Sequence, residues 1–416
     1  MNTWLIAKKE ITENIISYRN IITSTLCIIL FLLSIFLLSR DYQQRRESYD
    51  MRDVLGQTRT GKRPKIAKEP TKLSILAKGL DENMGRLLFI WWGQPNRMET
   101  GAEVIDTGLK NLLMSMFATP DFVYIVKIVL SLLALFFAYD AICGEKQRGT
   151  LKLILANSVS RGSVLLGKWL GGFASFLLCF LPALLLVLIW MVAFPVAPLN
   201  GEDWARIGLI VFLSLTYISI FFSLGLFVSA ITHRTATALL IILFLWVIWA
   251  ITIPNLGVLI AQRLAPVPEP QDIISQKRDV GRQQYDSTLE YFEACWKVDD
   301  KYIAMVNKQT NLAQQLSRFS PLASYTYAAT TIARTGMNES QRYKRAVIEW
   351  DRDIRRVAMT QHIGAYDWQE KVPFAYHEMS LAEGLNAVTV DFVLLILFNV
   401  LLFMAACMAF LRYDVR

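Results

Sequence analysis

The sequence predicts an all-α membrane protein of about six transmembrane helices with an N-terminal interfacial helix, carrying a mixed or mostly helical extracytoplasmic domain built from two insertions. Three observations predict it. The 416 residues are 54% hydrophobic and only 19% charged, with a mean hydropathy of +0.36, too oily for an ordinary soluble domain. The apolar residues gather into runs that meet the roughly 17–25 residues needed to cross a hydrocarbon core about 30 Å thick. Short basic loops alternate with a short acidic one, as the positive-inside rule requires of a multi-pass chain.

In residues 1–20, Trp4, Ala7, Ile11, Ile15 and Tyr18 recur at three- and four-residue intervals while Lys9, Glu10 and Glu13 face elsewhere. That is the pattern of an amphipathic elbow helix in the inner interface. Span one, residues 21–39, has a charge-free run longer than a secretory h-region and no small-residue cleavage site after it, so it is expected to stay in the mature protein. Residues 40–121 form the first extracytoplasmic segment, a charged helical continuation that breaks at Gly56, Gly61, Pro64 and Pro70. The stretch RLLFIWWGQPN within it has strand length and ends in a turn. Trp91 and Trp92 read as part of that buried strand, with the headgroup belt or a substrate contact as alternatives.

Span two covers residues 122–140; its Lys127 lies near one end, where it snorkels instead of paying the about 2.5–3.5 kcal/mol of a mid-membrane charge. A loop at 141–168 leads to spans three, four and five at 169–194, 207–231 and 236–260, with Pro182 and Pro254 as expected kinks. The second extracytoplasmic segment, 261–387, opens on closely spaced prolines and contains a helix whose Val347, Trp350, Ile354 and Val357 line one face, with Arg342, Lys344, Arg345, Asp351 and Arg355 mostly off it. Span six, 388–411, precedes a short tail, 412–416.

Orientation follows from the short loops. Lys146, Arg148, Lys152, Arg161 and Lys168 outweigh Glu145 between spans two and three, and His233 and Arg234 sit between four and five. Glu202 and Asp203 outweigh Arg206 between three and four. The basic loops therefore belong in the cytoplasm, with both termini cytoplasmic and both long segments outside. The first long segment is itself basic, but long loops translocate largely regardless of charge. This bias, with contact to anionic lipid, accounts for much of the net charge of +8, and no basic-aromatic motif points to nucleic acid. Of Cys27, Cys143, Cys179, Cys295 and Cys407 only Cys295 falls outside, so the outer domain has no internal disulfide to form.

The stretch RGSVLLGKW places Gly162, Gly167 and Lys168 at the spacing of a phosphate-binding loop. The position that holds magnesium through a hydroxyl is Trp169, whose indole cannot ligate it, and an oily span follows instead of a nucleotide fold. The glycines are better read as sites of close helix packing and Lys168 as a residue at the inner headgroups. No zinc-protease helix or nucleophile elbow is present, so no catalytic residue, metal ligand or bound cofactor is assigned. The intramembrane ionisable residues Lys127, Asp140 and Asp391 all lie near span ends, which argues against an ion-coupled carrier.

Residues 139–172 read as the end of span two, a glycine-punctuated charged turn, a short helix with Leu151, Ile154 and Leu155 on one side, and a second glycine turn into span three. The run Glu145-Lys146-Gln147-Arg148-Gly149-Thr150-Leu151, then Ser160-Arg161 and Gly167-Lys168, resembles the cytoplasmic signature of ABC-2 type permeases, the membrane subunits of ATP-binding-cassette transporters. The closing FLRYDVR is similar to their C-terminal ending, and FSPLASYTYAATTIARTG resembles a subgroup with large extracytoplasmic insertions, similar in layout to the permease of nitrous oxide reductase maturation.

The resemblance implies that a separate, dimeric ATPase subunit holds ATP and magnesium and clamps a coupling helix around residues 148–161, while two permease chains, identical or sister, form the pathway. It implies that this chain is not itself an enzyme. Glu145 and Arg148 would anchor the ATPase, the alternative being a headgroup-facing charge pair, and Arg161 would belong to the same coupling region. Gly149 and Thr150 would start the helix, Thr150 as its cap. Leu151, Ile154 and Leu155 would fill the ATPase groove or rest on lipid. The expected function is an ATP-driven exporter moving a lipid, peptide or other amphiphile. The alternatives are a mechanical transmitter that works a periplasmic partner without moving a solute, and a sensor or scaffold with no energy coupling.

Overall fold

The computed structural model describes residues 3–59, 65–66, 68–84, 87–90, 102–105, 120–156, 159–361 and 372–412. Trp91, Trp92 and the last four residues of the closing motif lie outside the described residues. Among those described, six helical runs are long and apolar enough to cross a membrane.

Helix α1, Thr3–Ile16, breaks only at Ser17 before α2, Tyr18–Arg59. At 42 residues α2 is about 63 Å long, twice what a bilayer core needs, so it continues well past the lipid. It runs through Gly56, where the sequence suggests a break; a single glycine costs a helix about 1 kcal/mol and does not by itself end it. A small antiparallel sheet follows, with β1 (Lys65–Ile66), β2 (Leu87–Ile90) and β3 (Ala102–Ile105) in that spatial order. Lys65 stands opposite Phe89, and Leu88 opposite Val104. Leu87–Ile90 of the strand-length apolar run thus form a strand, and the described part of the inserted domain is mixed.

Asp121 opens α3 by accepting a bond from the Tyr124 N–H at 2.6 Å. Helix α3 comprises Phe122–Tyr124, a π-wound stretch Ile125–Leu130, and Ser131–Ala138. The wider winding frees the Lys127 carbonyl, which accepts from the Tyr217 hydroxyl and from Ser131 Oγ, each at 2.7 Å. Two short helices, α4 (Cys143–Arg148) and α5 (Thr150–Ala156), lead into α6 (Arg161–Ala193). Then come α7 (Gly201–Ile231) and α8 (Thr235–Leu264), the latter π-wound at Ile248–Thr252 just before Pro254. The second insertion contributes α9 (Pro270–Val280), α10 (Thr288–Ser317), α11 (Pro321–Ile332) and α12 (Met337–Gln361), and α13 (Leu381–Leu411) closes the fold.

Helix α7 is the centre of the bundle, packing on α3, α11 and α13. Between lipid-solvated helices association depends on close packing more than on the hydrophobic effect, and small residues permit it. A Cβ on Gly225 would stand 2.6 Å from that of Ala138, so α3 and α7 touch nearly backbone to backbone. The short helix α11 is sunk into the bundle by Ala328, Ala329 and Ala333, with Tyr325 stacked on Tyr217 at 4.5 Å between ring centroids. Arg206, fully buried, donates to the carbonyls of Ile332 at 2.7 Å and Met379 at 2.8 Å, tying α7 to the ends of α11 and α13. Arg318 and Asp391 form a two-point pair at 2.7 and 3.0 Å between α10 and α13.

In the inserted domain Val347, Trp350 and Ile354 of α12 are buried with Met84 and Tyr343, and Val357 is half-buried. Arg355 departs from the expected pattern: it is buried beside Asp351 at 3.1 Å, with its guanidinium over the Phe292 ring. Burial pushes the Asp351 carboxyl up to about 6, more than Arg355 and Arg352 pull it down.

Candidate functional site

The α4–α5 turn, which the sequence singles out, lies at the end of the bundle opposite the insertions and is fastened there to the ends of several spans. Ser229 Oγ, near the end of α7, accepts the N–H groups of Ile142 at 2.9 Å and Cys143 at 3.0 Å, satisfying two donors that open α4. Lys146 Nζ donates to the Ala230 carbonyl and, at 3.2 Å, to that of Thr232, completing the end of α7. Gln147 Oε1 accepts from the N–H and hydroxyl of Thr235 at 3.4 and 3.3 Å, reaching the start of α8. Arg161 donates to the Leu411 carbonyl at 2.5 Å, the last turn of α13. Asp140, just before α4, binds Arg19 of α2 at 3.0 Å.

Lys168 is not at the headgroups. Its side chain is 2% exposed, and its ammonium lies 2.6 Å from Glu10 Oε1 of α1 and 2.8 Å from Glu145 Oε1 of α4. The whole Gly162–Trp169 run is helical, so it offers no loop of backbone donors for a phosphate, and the Trp169 indole donates to Ser223 at 3.0 Å. Gly167 and Gly171 are packing glycines: a Cβ would meet Ile6 at 2.8 Å and the Ala7 carbonyl at 2.6 Å respectively, so α1 lies directly in their notch.

The structure divides the residues singled out from sequence. Glu145 Oε1 lies 2.8 Å from the Lys168 ammonium, on the side of α4 turned to the bundle. Gly149, at φ 76°, closes α4 in the left-handed conformation, with its N–H on the Lys146 carbonyl at 3.2 Å. Thr150 is already helical and its hydroxyl donates back to the Glu145 carbonyl at 3.4 Å, so it finishes the preceding turn instead of capping its own helix. Leu151 is fully buried in a cluster with Ile6, Ile142, Val164, Leu226 and Phe410. Ile154 and Leu155 are half-buried against the same cluster, while Arg148 is exposed.

The apolar side chain of α5 that points away from the bundle is Leu153, 69% exposed, between the exposed Lys152 and the half-buried Ile154. Sequence reasoning missed it because a helix of seven residues with Leu at 151, 153 and 155 has apolar groups on both faces, and no period separates them. The turn thus has a rooted face and a presented face. It carries no acid-base or nucleophilic arrangement; what it can do is receive a displacement on Leu153 and distribute it to α1, α3, α6, α7, α8 and α13.

A family model described as ABC-2 family transporter protein matches residues 4–415. Over a shorter stretch the chain is similar to two curated ABC transporter permease proteins named NosY. The Pseudomonas aeruginosa protein is 54% identical over 43 residues, 10% of this chain and 16% of the relative. The Stutzerimonas stutzeri protein is 51% identical over 43 residues, with the same coverage. The match therefore spans less than a fifth of either relative's length.

Proposed function

The chain belongs to the ABC-2 family of transporter proteins, and from that premise we propose that it is the permease subunit of an ATP-driven exporter whose nucleotide chemistry resides on a separate, dimeric ATPase subunit. Two permease chains would form the pathway in a bacterial inner membrane, both termini and the α4–α5 turn facing the cytoplasm. The cargo class that suits a bundle open to lipid on α8 and α13 is a lipid, peptide or other amphiphile.

The observation that carries this reading is the rooted turn. A coupling element must take force from outside and pass it on without absorbing it, and α5 presents Leu153 while Leu151 roots it in the bundle and Lys146 and Gln147 of the adjoining α4 tie the turn to the ends of the spans. The exposed Lys152 next to Leu153, with the exposed Arg148 on the preceding helix, suits an apolar cleft with an acidic rim on the ATPase. The test is co-purification of the ATPase with Leu153→Asp and Arg148→Glu variants. Loss of the ATPase with a normally folded permease supports the reading; full retention and full stimulation of hydrolysis overturn it.

A second reading, transmission of force to an extracytoplasmic partner with no solute moved, is favoured by one feature. Helix α10, about 45 Å long, packs along the outer half of α8, and its Ser317 sits so close to Gly257 that a Cβ there would meet Ser317 Oγ at 2.7 Å. Vesicles that hydrolyse ATP yet accumulate no amphiphile would favour it.

A further inference from the structure

The Lys168 cluster joins three helices that the sequence keeps far apart. Its ammonium contacts Glu10 of α1, 158 positions away, and Glu145 of α4, and both carboxylate side chains are only 13% exposed. If packing were the whole purpose, an unbranched apolar side chain would fill this place at lower cost, because buried ions lose more in desolvation than they regain unless the geometry is good. What the ions add is a joint that holds two helices to a third at fixed points. On either side of the joint the contact continues: α1 lies in the Gly167 and Gly171 notch, and Ile6 of α1 shares a buried cluster with Leu151 of α5.

We propose that Lys168 is a positioning residue that makes the interfacial helix α1 part of the moving unit, so that α1, α4–α5 and the start of α6 shift together when the ATPase displaces α5. This rests on the reading of α5 as the docked element. Helix α1 carries exposed Trp4, Leu5, Ile15 and Ile16, so a shift of the unit would be felt at the membrane surface as well as in the spans.

The experiment measures the separation between spin labels on α1 and α5, introduced by Lys9→Cys and Ala156→Cys in a Cys407→Ser background, in the permease–ATPase complex without nucleotide and trapped with vanadate. Both label sites are exposed. The wild-type cluster should give one separation in both states. Lys168→Met should retain the ATPase and hydrolysis but shift the separation between states by about 2 Å or more, the scale of helix shifts in switching interfaces. Lys168→Arg should restore the single separation. If Lys168→Met does not fold, Glu10→Gln, which removes only the α1 arm, should give the same shift. A state-dependent separation in the wild type, or an unchanged one in both Lys168→Met and Glu10→Gln, overturns the proposal. Failure of the wild-type chain to hold any ATPase overturns the docking reading as well, and so is distinguishable from failure of the joint alone.

Discussion

Leu151 and Leu153 are two residues apart and chemically identical, and the fold assigns them opposite work. Replacing Leu151 by Ala removes a fully buried side chain from the cluster that roots α5, a change that costs about 2–5 kcal/mol in comparable cores. Replacing Leu153 by Ala removes three carbons from a side chain that is 69% exposed, so the folded permease loses almost nothing. If docking covers that exposed fraction, at about 0.8 kcal/mol per carbon, the complex loses about 1.7 kcal/mol, or roughly 15- to 20-fold in Kd. The assay is titration of the ATPase onto permease in nanodiscs, with thermal unfolding recorded on the same samples. Leu153→Ala should weaken binding with an unchanged melting temperature, and Leu151→Ala should lower the melting temperature. Unchanged affinity for Leu153→Ala, together with weakened binding but normal melting for Leu151→Ala, would refute the assignment of faces.

Three further outcomes are expected. Ser229→Ala leaves the buried Ile142 and Cys143 N–H groups without their acceptor, at about 1–3 kcal/mol each, so their hydrogen exchange should accelerate while α7 remains protected; unchanged protection would contradict the stitch. Gly171→Val forces a side chain against the Ala7 carbonyl and should loosen α1, read as faster proteolysis before Ser17, whereas Gly162→Ala, with open space around it, should not. The buried Asp351 carboxyl titrates near 6, above the ordinary carboxylate range, so the folded state holds the extra proton. Its contribution to stability is fully present below about pH 4 and disappears as pH rises through 6, on the order of 3 kcal/mol. The inserted domain should therefore melt higher at pH 5 than at pH 7.5, and Asp351→Asn should flatten that slope; an unchanged slope in the variant would assign the effect elsewhere.

The six spans were legible because lipid imposes a composition, and long uncharged runs report it directly. The glycine-punctuated turn was legible for a similar reason, since Gly149 takes a left-handed backbone and Gly167 and Gly171 of α6 leave no room for a Cβ. The interior of the site was not. Glu10 and Lys168 meet across 158 positions, and nothing local in either helix announces the other. Arg206 read as one charge in a short acidic loop, yet it is buried because α11 and α13 bring two bare carbonyls to it. Helix α11 itself lacks the oily run of a span: its alanines and threonines give it a small surface that suits burial in protein, which hydropathy does not distinguish from a loop.

The account depends most on which side of the membrane the α4–α5 turn faces. A membrane-impermeant maleimide applied to cells carrying Lys152→Cys tests this directly, since residue 152 is exposed on α5. The thiol should remain unlabelled in intact cells and label fully once the membrane is opened; labelling in intact cells would contradict the account.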